Sequence, residues 1–77
     1  MFEIGDYLIP NNKANMYYNG TNRENGVVVK VIEPDENVYN PYNGDIFVKV
    51  ISIRESRKCY LGMECWVRSD CFDKLGN

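Results

Sequence analysis

The chain has 77 residues, a net charge of −2, no histidine, and a composition that is 44% hydrophobic and 26% charged. That length makes one domain, residues 1–77, with a thin core, and the mixture is that of a folded chain rather than a disordered tail. The acidic balance disfavours a binder driven by phosphate neutralisation. The lack of histidine removes the commonest general base.

Phe2 to Pro10 is expected to form a first strand, which Pro10 ends because it cannot donate to a ladder. Asn11 to Asn25 is a long polar loop, pinned to the body by Ala14, Met16, Tyr17 and Tyr18; Asn19-Gly20-Thr21 within it is taken as a turn. Asn25-Gly26 opens a second strand, Val27 to Glu33, closed by Pro34-Asp35-Glu36-Asn37. Residues 34–44 form a second loop, polar enough to be mobile, that carries Tyr39 and Tyr42. Asp45 to Ile53 is the most strand-like stretch: five of its nine residues are Ile or Val, and none is Gly or Pro. So long an apolar strand belongs in the interior of a sheet, where its backbone is paired on both sides. Arg54 to Gly62 is a charged hairpin connection, Met63 to Arg68 a fourth strand, Ser69-Asp70 a tight turn of 3₁₀ type, and Phe72 to Leu75 a closing strand.

These elements give an all-β fold of about five short antiparallel strands, with closure into a small barrel expected as the way to remove exposed edges. The Gly5-Asp6 opening, the long first loop, the three meander strands and Val67-Arg68-Ser69-Asp70-Cys71-Phe72 before the last strand resemble an SH3-like barrel. More narrowly, the pattern is similar to small bacterial and phage proteins of that fold. A residue usage rich in Asn, Tyr, Ile and Lys, typical of AT-rich coding, agrees with such a source. Proline-peptide recognition is not expected, because the chain has no Ala-Leu-Tyr-Asp-Tyr type run and carries Arg68 and Cys71 where that class has its Pro and Tyr.

No nucleophile elbow, phosphate loop or dinucleotide fingerprint is present, so no catalytic residue and no cofactor are expected. Cys59, Cys65 and Cys71 stand six apart, without the close Cys pair that structural zinc uses; they are expected to be free thiols, with no metal. No apolar run approaches the ~18–20 residues of a membrane span. The first residues show no basic stretch followed by an apolar one, so a cytoplasmic setting is expected.

Strand alternation supplies the candidate site. If Lys30, Lys49, Glu64 and Arg68 face solvent, then Val28, Ile32, Phe47, Ile51 and Trp66 share their side of the sheet. Two readings of that apolar outer face stand: the long first loop or the chain ends fold over it, or it binds a protein partner or a second copy of the chain. Trp66 is then the expected anchor of the interface. The function expected is a non-catalytic binding module of this kind, and the resemblance adds a phage or mobile-element accessory protein as its setting. The alternative is a nucleic-acid-binding barrel that uses the Arg54–Lys58 turn with Tyr17, Tyr18, Tyr39 and Tyr42.

Overall fold

A computed structural model describes residues 2–16, 26–41 and 43–76. Five strands appear where β-branched runs lie between turn residues: β1 (Tyr7–Pro10), β2 (Val28–Val31), β3 (Ile46–Ser52), β4 (Glu64–Val67) and β5 (Phe72–Lys74). They form one antiparallel sheet in the order β4-β3-β2-β1-β5. The apolar β3 is an interior strand, as its composition requires. A ladder between β4 and β5, which would close the sheet on itself, is not among the pairings of the described residues.

The inner face of the sheet holds the main core, built from Leu8, Val29, Val31, Val48, Val50, Val67 and Phe72. Two short 3₁₀ segments complete it. Asn12–Met16 contributes Ala14 and Ser69–Cys71 contributes Cys71, both fully buried. These segments are tied together, since the Asn11 backbone N–H donates to the Cys71 carbonyl at 2.8 Å and the Asn11 side chain donates to the Asp70 carbonyl at 2.9 Å. The Arg54–Gly62 connection is not a plain hairpin loop but contains a third 3₁₀ segment, Glu55–Tyr60.

The pairing of β2 with β3 contains an irregularity that alternation alone does not reveal. Val29 lies opposite Val50, but Val28 lies opposite Ser52, so Ile51 has no facing residue on β2. An extra residue of this kind shifts the alternation beyond it. Ile51 and Ser52 are therefore both exposed, and Ile53 returns to pack against the core. Met63, which alternation with Glu64 places on the inner side, is 37% exposed where the Arg54–Gly62 connection enters β4.

Gly44 is the tightest backbone contact of the fold. A Cβ built on it would lie 2.6 Å from the Val67 nitrogen, 2.7 Å from the Val67 oxygen and 2.8 Å from the Trp66 carbonyl carbon. These are backbone atoms of β4 and cannot swing aside. The next residue continues the contact, with the Asp45 N–H donating to the Val67 carbonyl at 2.9 Å. Only glycine lets the chain enter β3 this close to β4. Gly44→Ala should cost on the order of 2–3 kcal/mol through overpacking, measured by denaturant unfolding. A variant as stable as the parent would show that the two backbones can separate freely.

Candidate functional site

The outer face of the sheet carries three cross-strand rows. In the first, the Ile32 N–H donates to the Phe47 carbonyl at 3.0 Å and Phe47 lies opposite Trp66, so Ile32, Phe47 and Trp66 stand side by side. In the second, Tyr7 faces Lys30, Lys30 faces Lys49 and Lys49 faces Glu64. In the third, continuing the β1–β2 ladder by one residue sets Ile9 beside Val28, with Ile51 at the bulge beyond. The five residues expected on this face are thus all on it, but their environments differ.

Phe47 is not available to a partner. It is only 2% exposed although it lies outside the main core cluster, so it has a cover of its own. Among the described residues, the connection from β2 to β3 reaches this part of the face through Trp66. The Trp66 indole N–H donates to the Asp35 carbonyl at 2.9 Å, and the Phe47 and Trp66 rings pack with centroids 5.3 Å apart at a tilt of 59°. Such a tilted pair adds about 0.5–1.5 kcal/mol beyond its buried area. Trp66 is half-buried with its polar atom committed, and Ile32 is half-buried beside it.

The connection that was expected to be mobile is tied at both ends. The Asp35 carboxylate accepts from the Asn37 N–H at 2.9 Å, and the Asp35 carbonyl also accepts from the Val38 N–H at 3.3 Å. Further along, the Gly44 N–H donates to the Asn40 side-chain oxygen at 2.7 Å, and the Asn40 amide donates to the Gly44 carbonyl at 3.0 Å. Asn43 between them adopts a positive φ of 53°, a conformation that Asn tolerates better than most residues. The segment is a strap with an internal clamp, and Tyr39 stands on it 82% exposed. Tyr17, Tyr18 and Tyr42 lie outside the described residues.

Val28 is half-buried and Ile51 is 38% exposed, next to half-buried Ile9 and to Tyr7, which is 45% exposed. This part of the apolar face is left open by the strap.

A second feature is a shallow polar depression of about 450 Å³ lined by Asn43, Asp45, Arg68, Ser69 and Asp70. Its carboxylates are engaged within the chain. Asp45 accepts from the Ser69 N–H and hydroxyl, both at 2.7 Å, which caps the 3₁₀ turn before β5. Asp70 accepts from Arg68 through Nε at 3.3 Å and Nη2 at 3.2 Å, with Lys13 Nζ at 3.9 Å. The Arg68 hydrogen bond holds the Asp70 carboxyl below its ordinary range. The depression acts as a latch that joins the first loop, β3 and the last turn.

The three cysteines are free thiols in three separate places. Burial pushes the half-buried Cys65 thiol up to about 11, and burial followed by the neighbouring Asp70 charge raises the Cys71 thiol. Both are therefore poor nucleophiles at neutral pH. Among the described residues no three metal-ligating side chains converge, and no helix is long and apolar enough to cross a membrane. In the Arg54–Lys58 turn, Lys58 is paired with Glu55 at 3.2 Å.

The sequence reading missed the strap, the Asn40–Gly44 clamp and the bulge. The spacing of Asn40 and Gly44 around Pro41 was the one available signal for a closed loop. Comparison with protein-family models, curated proteins and solved structures yields no match for this chain.

The cover over Phe47 separates two outcomes of one substitution. Phe47→Ala should destabilise the protein by about 3–5 kcal/mol, the cost of truncating a buried aromatic, read from denaturant unfolding. An unchanged unfolding midpoint would mean that Phe47 stands at an open surface.

Proposed function

We propose that this chain is a non-catalytic binding module of the SH3-like barrel kind that holds a protein partner on the outer face of its sheet. The barrel kinship is supported by the meander β2-β3-β4, by a first strand that pairs with both β2 and the last strand, and by the 3₁₀ turn just before that last strand. A phage or mobile-element accessory role fits the same resemblance.

The observation that carries the binding reading is the open strip of Ile51, Val28, Ile9 and Tyr7. The fold buries Phe47 on the same face under a dedicated strap, yet leaves this neighbouring strip uncovered among the described residues. Apolar surface next to a rigid, satisfied edge is what a specific contact uses, because little has to be ordered on binding. Ile51 points outward by alternation and has no facing residue on β2, which makes it the centre of the contact in place of Trp66. The nucleic-acid reading is weaker, since the Glu55–Lys58 ion pair neutralises part of the basic turn it relies on.

The test uses the full chain as bait in the source cell, with sedimentation of the purified protein alongside. Ile51→Asp should abolish both partner capture and any self-association, a loss of about 2 kcal/mol or more for a central contact, while the far-ultraviolet spectrum stays that of the parent. Arg57→Ala should leave capture unchanged. Equal capture by the parent and Ile51→Asp would refute the strip as the binding surface, and loss of captured nucleic acid with Arg57→Ala would favour the alternative.

A further inference from the structure

The middle row of the outer face shows what kind of partner the strip fits. Lys30 and Lys49 lie directly opposite one another on adjacent strands and point to the same side. Like charges in that position destabilise a sheet. Neither ammonium has a carboxylate within ion-pair distance among the described residues, although the chain carries more acidic than basic residues. Lys30 instead lies 5.8 Å from the centre of the Tyr7 ring, a contact that leaves its charge in place. The acidic groups of this face sit at its two edges: Glu64 on β4, facing Lys49, and Asp73 on β5, facing Ile9. The face is thus positive along its centre, acidic at its rims, and apolar on the side of Val28 and Ile51.

Resting on the binding function proposed above, we infer that the occupant is an extended acidic segment of a different protein. Its carboxylates lie between Lys30 and Lys49, and its apolar side chains lie on Val28 and Ile51. A carboxylate there relieves the repulsion of the two lysines, so the mismatch in the free protein becomes part of the binding energy. A second copy of the chain stacked centre to centre on this face would set lysine against lysine, and such like-charge juxtaposition is penalised at an interface. A nucleic acid would gain little from the aliphatic side of the strip, since base contacts rely on aromatic stacking and Tyr7 is the one aromatic ring in these two rows.

The test uses a short synthetic peptide that alternates Glu and Val, with a Lys–Val peptide of the same length and a single-stranded oligonucleotide as comparators. Backbone amide spectra of the labelled protein are followed at low salt. The Glu–Val peptide should shift the amides of residues 28–30 and 49–51. Its affinity should fall about tenfold with Lys30→Glu plus Lys49→Glu, and fall with added salt as well. Both lysines are at the surface, and an unchanged Trp66 emission spectrum would confirm that the double variant is folded. Equal binding of the Lys–Val peptide to the same residues would overturn the acidic partner while leaving the docking strip intact. Shifts produced by the oligonucleotide instead, a salt-sensitive dimer formed through this face, or no response to the Glu–Val peptide would each overturn the inference. The broader binding reading fails separately, through an Ile51→Asp bait that captures like the parent.

Discussion

The hydrogen bond from the Trp66 indole to the Asp35 carbonyl decides what the outer face of this protein can do. It joins the edge strand β4 to a connection that would otherwise be an exposed polar loop. With it in place, Trp66 is held against the buried Phe47, which lies outside the thin main core. A chain of this length has little core to spare, so burying one more large aromatic is a substantial gain. Gly44 makes the arrangement geometrically possible by letting the strap return against the backbone of β4.

The same face is left open where the strap does not reach. Ile51 points outward by alternation, and the β2–β3 bulge sends Ile53 back into the core, so one inserted residue completes the interior beside the open surface. The facing Lys30 and Lys49 lie between the covered and the open parts. The face is divided into a sealed structural half and an exposed half with its own charge pattern, and the proposed binding function belongs to the second.

Much of the fold was legible because β-branched runs and turn dipeptides act locally. The interior position of β3, the alternation of Val48 and Val50 against Phe47, and the 3₁₀ turn at Ser69 all follow from neighbouring residues. What was not legible depends on contacts between distant parts of the chain. Nothing near Trp66 in sequence signals that its N–H meets residue 35, and nothing in Asn43-Gly44 beyond a turn signal shows that Gly44 must touch β4. The Val28 register shift is likewise set by how two strands settle together, not by either alone. Alternation was therefore right about which residues share a face, but it did not show that Phe47 on that face is buried. Alternation describes direction and not cover.

The most direct test of this division is the hydrogen-exchange rate of the Trp66 indole proton in the native protein. If the strap seals Phe47 and Trp66, that proton exchanges much more slowly than a free indole, and the Gly44 amide, bound to Asn40, is protected along with it. An indole proton that exchanges as fast as in an unstructured peptide would contradict the strap. It would return Trp66 and Phe47 to the open surface.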